Sequence, residues 1–167
     1  MKKIGVVGLG NMGMGIAKNL IKNEFDTTGF DLRDSCLKEL KDSGGNVASS
    51  VDDIGKNCDV VFIMVMNGDQ VKDVVAKLSP GLKNDGTIIV TATITPEEVR
   101  SAYEIAKKNN IKMIDSPVSG GLQGAHEGTL TLMSAADKNV FKSCKNILTA
   151  ISKDIFHVGE NIGDGPV

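Results

Sequence analysis

Three glycines near the start of the chain have the spacing of a phosphate-binding turn. Residues 8–13 read Gly-Leu-Gly-Asn-Met-Gly and follow the apolar run Ile4–Val7. In a G-x-G-x-x-G pattern the glycines allow a tight turn, leave room for a pyrophosphate, and let the next helix pack close to the strand. The N–H groups that begin this helix then favour phosphate. The run predicts a dinucleotide-binding loop made by Gly8, Leu9, Gly10, Asn11, Met12 and Gly13.

An acidic residue follows at the distance expected of a ribose ligand. Asp31 closes the stretch 27–30, about 20 residues beyond the glycine run. Its carboxylate can accept hydrogen bonds from both ribose hydroxyls and would repel a 2′-phosphate, which favours NAD over NADP. Arg33 leaves an alternative open, because a guanidinium can accommodate a 2′-phosphate. The simpler interpretation is that Arg33 is a solvated loop residue.

A second run of small and polar residues could bind a small acid. Residues 115–121 read Asp-Ser-Pro-Val-Ser-Gly-Gly. The hydroxyl of Ser119 and the backbone N–H groups at the two glycines form a cluster of donors that suits a carboxylate or a hydroxy acid. On local chemistry alone, the run is better explained as a turn that precedes a helix.

Predicted strands and helices alternate along the chain. Continuous apolar runs at 60–65 and 87–90 indicate buried strands, and apolar residues three and four apart in 70–78 and 137–151 indicate helices. The alternation predicts an α/β fold of the Rossmann type, a doubly wound and mostly parallel sheet with helices on both faces. One domain, residues 1–167, accounts for the whole chain.

Several side chains are expected to start or flank helices. Ser50 and Thr95 stand where helix caps are preferred, and Asp34 is expected to cap a short helix that ends near a glycine pair. In the helix after the glycine loop, the apolar periodicity places Lys18 and Asn19 on the polar face.

Residues at the carboxyl ends of the strands complete the candidate site, because ligands of such sheets lie beyond those ends. Met66 and Asn67 follow the strand at 60–65, and Thr93 follows the strand at 87–90. Asn67 could hydrogen-bond a cofactor ribose or cap the next helix. Thr93 could contact the ribose on the nicotinamide side or hydrogen-bond its own loop. The sequence leaves both alternatives open.

Composition excludes several classes of function. The formal net charge of −2, the absence of Trp and the single Tyr provide neither a basic footprint nor a stacking platform for nucleic acid. We expect no membrane span and no secretion signal. Three scattered cysteines and two isolated histidines predict no metal site and a reducing, cytoplasmic compartment.

The two motifs together resemble those of the β-hydroxyacid dehydrogenases. Residues 8–13 with Ala-Lys-Asn-Leu at 17–20 resemble the N-terminal signature of that family, and residues 115–121 resemble its substrate loop. The last elements, near residues 157–165, resemble the end of its cofactor domain. The resemblance implies an NAD site made by residues 8–13, Asp31, Met66, Asn67 and Thr93, and a small hydroxy-acid substrate bound by Ser119, Gly120 and Gly121.

The resemblance also implies where the catalytic residue belongs. The family has a catalytic lysine four residues after the position of Gly165, on the way to an all-helical second domain, whereas here Gly165 is followed by Pro166 and Val167. We therefore expect the cofactor domain of an NAD-dependent dehydrogenase, with no catalytic residue in this chain and without the helical domain on which a homo-oligomer would depend. The alternative is a stand-alone NAD-binding module that senses the cofactor without catalysis.

Overall fold

The structure is a computed structural model that describes residues 2–166. These residues form nine strands and seven helices that alternate in the first two thirds of the chain. The strands are β1 (Lys3–Val7), β2 (Asp26–Phe30), β3 (Asn46–Val47), β4 (Val60–Ile63), β5 (Thr87–Val90), β6 (Lys112–Asp115), β7 (Val118–Ser119), β8 (Leu130–Ala135) and β9 (Ser152–Gly159). The helices are α1 (Asn11–Lys22), α2 (Asp34–Asp42), α3 (Val51–Asn57), α4 (Gly68–Leu78), α5 (Pro96–Lys108), α6 (Gly121–Glu127) and α7 (Lys138–Thr149).

All strands join one sheet in the order β3-β2-β1-β4-β5-β6-β8-β7, with β9 paired to β8. The pairs from β3 to β6 are parallel, whereas β8 runs antiparallel to β6 and β7. The predicted doubly wound, mostly parallel α/β sheet is confirmed. Strand order reverses between β1 and β4, so the carboxyl ends of these two strands flank the crevice in which such folds bind ligands.

Successive side chains of the buried strands point to opposite faces of the sheet, so each face has its own hydrophobic core. Ile4 and Val6 of β1 contribute to one core, which packs against α1, α6 and α7. Val61 and Ile63 of β4 contribute to the other, which packs against α3, α4 and α5. Because both faces are covered, the central strands read as continuous apolar runs in the sequence.

Helix starts follow the predicted capping chemistry at two of three positions. Ser50 Oγ accepts from the N–H of Asp53, and Thr95 and Glu98 form a reciprocal capping box at the start of α5. The prediction for α2 was wrong. Arg33 occupies the N-cap position without a capping side-chain bond, and Asp34 is the first helical residue. The Arg33 side chain instead forms an ion pair with Asp31.

Helices α1 and α6 lie in close contact because one position of α1 has no side chain. A Cβ on Gly15 would lie 2.7 Å from the carbonyl carbon of Ala125. Asn19, one turn later, is buried and its Nδ2 donates to the carbonyl oxygens of Ala125 (2.7 Å) and His126 (3.1 Å). The prediction that Asn19 lies on the polar face was therefore wrong, since α6 covers that position.

Two expectations drawn from composition concern the cysteines and membrane-spanning helices. Cys58 and Cys144 are buried and Cys36 is partly buried, as small hydrophobic residues would be. Within residues 2–166, no helix has the length and apolar character needed to cross a membrane.

Replacing Gly15 with Ala tests the contact between α1 and α6. Alanine raises intrinsic helix propensity by about 1 kcal/mol, but overpacking against a fixed backbone costs about 1–3 kcal/mol. Because the steric cost outweighs the gain in helix propensity, we expect Gly15→Ala to lower the free energy of unfolding by up to about 2 kcal/mol, measured by urea denaturation.

Gly124→Ala in α6 is the control, because the closest atom to its Cβ would be the Cδ2 methyl of Leu130 at 3.3 Å, and the nearest backbone atoms would be at 3.8 Å. That side chain can move, so we expect little loss of stability. A Gly15→Ala variant as stable as Gly124→Ala would contradict the close helix contact.

Candidate functional site

The glycine loop joins β1 to α1, and two of its glycines are required by the protein's own packing. Gly8 has φ 96°, and a Cβ there would collide with the carbonyl of Met64 at the end of the neighbouring strand. A Cβ on Gly13 would collide with the carbonyl oxygen of Gly8. These two residues allow α1 to start directly above the strand.

Gly10 differs from the other two glycines of the loop. The nearest atom to a Cβ at Gly10 would be Nη2 of Arg33 at 3.5 Å, an ordinary contact with an exposed side chain. Gly10 is also the N-cap of α1 and provides no side-chain hydrogen bond to the helix. The first N–H groups of α1 are therefore left for an external acceptor, in a place where the chain offers open space.

Asp31 follows β2 and connects the second strand to the glycine loop. Its Oδ2 accepts the N–H of Leu9 at 2.8 Å, which places the carboxylate beside the loop. Burial alone would raise the pKa of Asp31, but hydrogen bonds from Arg33 and Leu9 outweigh it and lower the pKa to about 2. The carboxylate is therefore ionised and acts only as a hydrogen-bond acceptor at neutral pH.

Arg33 is an exposed residue of the loop before α2, as the simpler interpretation predicted, and it is also an ion-pair partner of Asp31. Its Nε lies 2.9 Å from Oδ1 of Asp31, and its Nη2 lies 3.1 Å from Oδ2. The spacing of two residues, with the backbone turning into α2, brings the side chain back over the carboxylate. Sequence reasoning identified both residues but could not assign them to each other.

The other predicted cofactor residues lie at the same edge of the sheet. Met66 is 86% exposed after β4, and its N–H donates to Oε1 of Gln70. Asn67 caps α4, because its Oδ1 accepts the N–H of Gln70 at 2.9 Å. Thr93 is exposed in the loop after β5. The capping alternative for Asn67 is thus observed, and this role uses the side-chain oxygen alone.

The second motif forms a glycine turn between β7 and α6. Gly120 and Gly121 have φ 125° and 64°, a region that residues with a side chain rarely adopt. Ser119, Gly120 and Gly121 are exposed. Gly15 of α1 lies against Ala125, and Asn19, one turn later, lies against Gly128, so α1 and α6 run in the same general direction where they touch. The starts of both helices therefore lie at the same end of the contact. The structure thus brings the two sequence motifs to one edge of the sheet.

Asp115, at the end of β6, binds the C-terminal segment. Its Oδ2 accepts the N–H groups of Gly163 at 2.9 Å and Gly165 at 3.2 Å. Burial raises the pKa of Asp115 to about 6, although these two hydrogen bonds act to lower it. The side chain is 1% exposed, so its present partners are backbone groups of this chain. Sequence reasoning placed Asp115 at a strand end but contained no signal for a contact 48 residues away.

Two clefts open on the surface of the domain. One, of about 430 Å³, is lined by Asp31, Leu32 and Val47 among others, and continues the edge where the glycine loop lies. The other, of about 480 Å³, lies near Tyr103 and Lys112 and contains none of the predicted site residues. Over residues 2–166, no group of three or more His, Cys, Asp or Glu side chains could hold a metal ion.

Sequence comparison identifies proteins that are related to this chain. Residues 3–159 match the family described as the NAD binding domain of 6-phosphogluconate dehydrogenase. The chain is 36% identical, over 169 residues, to the "Probable 3-hydroxyisobutyrate dehydrogenase, mitochondrial" of Dictyostelium discoideum, covering 99% of this chain and 52% of the relative. It is 33% identical to the NAD-dependent L-serine dehydrogenase of Pseudomonas aeruginosa, covering 100% of this chain and 57% of the relative.

A solved structure shares the fold of this chain. The 3-hydroxyisobutyrate dehydrogenase of Mycobacterium tuberculosis, solved with L-serine, superimposes with a TM-score of 0.94 at 27% identity. The match covers 98% of this chain and 57% of that structure. The chain therefore spans about half the length of the proteins it matches.

The buried carboxyl of Asp115 predicts a pH-dependent stability. The folded protein holds this proton up to about pH 6, whereas the pKa of an unfolded Asp is 3.8. The stabilisation is thus complete below the unfolded pKa and is lost as the pH rises through the folded pKa, by about 3 kcal/mol in all. Asp115→Asn has no titrating group and can accept the same two N–H bonds. We expect its stability relative to wild type to increase between about pH 4 and about pH 7, in urea unfolding curves.

Asp154→Asn is the matched control, since Asp154 is an exposed carboxylate on β9. We expect its unfolding curves to follow those of wild type at each pH. An Asp115→Asn variant that is less stable than wild type at neutral pH would mean that the ionised carboxylate is required.

Proposed function

This chain belongs to the β-hydroxyacid dehydrogenase family, whose NAD-binding domain it matches, and on that premise we propose how its residues hold cofactor and substrate. The pyrophosphate of NAD lies against the loop of residues 8–13, at the start of α1. The ribose of the adenosine half is bound by the carboxylate of Asp31. The carboxylate of a small β-hydroxy acid is bound at Ser119, Gly120 and Gly121.

The assignment of the pyrophosphate to this loop rests on the absence of a side chain at Gly10. The protein's own packing accounts for the missing side chains at Gly8 and Gly13, but it does not account for Gly10. A Cβ at Gly10 would have one neighbour within 4 Å, Nη2 of the exposed Arg33 at 3.5 Å, and the first N–H groups of the helix there have no side-chain cap. A phosphate that approaches those groups closely would need the space of that Cβ, which supports a pyrophosphate at this position.

The remaining cofactor contacts follow from the strand ends. Asn67 uses Oδ1 to cap α4, which leaves its Nδ2 to donate to a ribose oxygen. Met66 and Thr93 are exposed beside it and would line the path toward the nicotinamide. With Asp31 ionised near neutral pH, the adenosine half meets a strong acceptor and the pyrophosphate meets donors, as each requires.

The substrate class follows from chemistry that the relatives' substrates share. 3-Hydroxyisobutyrate and L-serine each carry a hydroxymethyl group on the carbon next to a carboxylate. Gly120 and Gly121 expose backbone N–H groups in a turn that no larger residue would readily adopt, and Ser119 adds a hydroxyl. These neutral donors suit the carboxylate of such an acid.

The reaction we propose for the whole protein is reversible oxidation of that hydroxyl. Bound NAD supplies the hydride acceptor. The described residues hold the adenosine half, the pyrophosphate and the acid, and the contact between α1 and α6 fixes the distance between the two sites. A proton acceptor for the hydroxyl is expected from the lysine that the family resemblance places four residues after Gly165.

Gly10→Ala tests the pyrophosphate position. The added methyl meets only an exposed arginine in the free protein, so we expect the unfolding midpoint to change little. It would occupy the space of the pyrophosphate, so we expect the Kd for NADH to rise by at least about tenfold, measured by fluorescence titration or calorimetry of the purified chain.

Gly81→Ala adds the same methyl group shortly after the end of α4, where the nearest atom to its Cβ would be the backbone nitrogen of Lys56 at 3.1 Å, and is expected to bind NADH as wild type does. Unchanged NADH affinity in a folded Gly10→Ala variant would show that the pyrophosphate lies elsewhere.

A second experiment concerns catalysis by these 167 residues. We expect these residues to bind NADH without measurable oxidation of 3-hydroxyisobutyrate or L-serine, because the lysine that the family resemblance places four residues after Gly165 is not among residues 1–167. The assay follows NADH absorbance in the presence of NAD and either acid. Turnover above the protein-free blank would mean that a residue within 1–167 accepts the proton.

A further inference from the structure

The ion pair between Asp31 and Arg33 occupies the atoms that a cofactor ribose would need. Oδ1 of Asp31 accepts the backbone N–H and the Nε of Arg33, both at 2.9 Å. Oδ2 accepts the N–H of Leu9 at 2.8 Å and the Nη2 of Arg33 at 3.1 Å. A carboxylate has about four acceptor positions. All four are used, and two of them are taken by the Arg33 side chain.

The two partners differ in how easily they can move. The Asp31 side chain is 9% exposed and is held by the backbone of the glycine loop, whereas the Arg33 side chain is 61% exposed. Withdrawal of the guanidinium would leave both backbone bonds to Asp31 intact and free one acceptor position on each oxygen. Those two positions match the two hydroxyls of a ribose.

Arg33 also lies beside Gly10, where the pyrophosphate is proposed to bind. Its Nη2 is the nearest atom to the empty Cβ position of Gly10. A guanidinium released from Asp31 would therefore remain beside the adenosine ribose, where a 2′-phosphate of NADP would lie. Such a phosphate is a preferred bidentate partner of arginine.

We propose that Arg33 sets the choice between NAD and NADP by exchanging partners, a role that rests on the cofactor site proposed above. With NAD, the ribose hydroxyls displace the Arg33 side chain from Asp31, so the ion pair opposes binding. With NADP, the 2′-phosphate takes the guanidinium, which offsets the repulsion from Asp31. Arg33 thus narrows the preference for NAD that Asp31 alone would impose.

Titration of NADH and NADPH into wild type and Arg33→Ala tests the exchange. Removing an exposed ion pair that competes with the ribose should lower the Kd for NADH by about two- to fivefold. Losing a charge-assisted phosphate contact should raise the Kd for NADPH by about tenfold or more. Opposite changes for the two cofactors are not expected if Arg33 only stabilises the fold.

Arg33 also attracts phosphate groups in general, and this attraction has to be separated from its ion pair with Asp31. The single variant Asp31→Asn and the double variant Asp31→Asn/Arg33→Ala make that separation. That attraction is present in both backgrounds, whereas the competition for Asp31 is weakened once the carboxylate is neutral. We expect Arg33→Ala to tighten NADH binding in the Asp31 background but not in the Asp31→Asn background. The gain should also shrink as salt screens the exposed pair.

The outcomes distinguish this role from the cofactor site itself. If wild type binds neither NADH nor NADPH, the proposed cofactor site is wrong. If wild type binds NADH and Arg33→Ala weakens both cofactors together, or changes neither, the partner exchange is wrong while the cofactor site stands.

Discussion

The close approach of α1 to its neighbours is the constraint on which the rest of the structure depends. Residues without side chains allow this approach on two sides: Gly8 and Gly13 below the start of the helix, and Gly15 against α6. The first approach creates the loop with its exposed N–H groups. The second places the Ser119–Gly121 turn at the same edge of the sheet. One short run of glycines thus sets the geometry of both halves of the proposed site.

Two carboxylates at this edge have opposite environments. Asp31 accepts four hydrogen bonds, three of them from a guanidinium-bearing residue, and its pKa falls to about 2. Asp115 is more deeply buried, has two backbone partners, and its pKa rises to about 6. Burial favours the neutral acid and hydrogen bonds to the anion favour the charged form, so the balance differs between them. The ionised Asp31 suits a ligand, whereas Asp115 binds this chain's own segment at Gly163–Gly165.

The fold was largely predictable because its signals are local. Apolar runs predicted the buried strands, and capping residues predicted helix starts at Ser50 and Thr95. The exceptions are contacts that the local pattern does not show. Asn19 was assigned to the polar face of α1 from the apolar periodicity, but α6 covers it and accepts hydrogen bonds from its amide. Arg33 is exposed, as its interpretation as a solvated loop residue predicted, but no local pattern indicated its ion pair with Asp31.

The sequence by itself determined the class of the site. The glycine spacing, the following acid and the second glycine motif predict a dinucleotide loop, a ribose acceptor and a donor cluster, because each prediction depends on residues close together in the chain. The tertiary structure decided how these parts relate to one another. The contact of Gly15 with Ala125, the hydrogen bond from Leu9 to Asp31 and the bonds from the C-terminal segment to Asp115 depend on distances in space. Packing sets those distances, and no local pattern in the sequence encodes them.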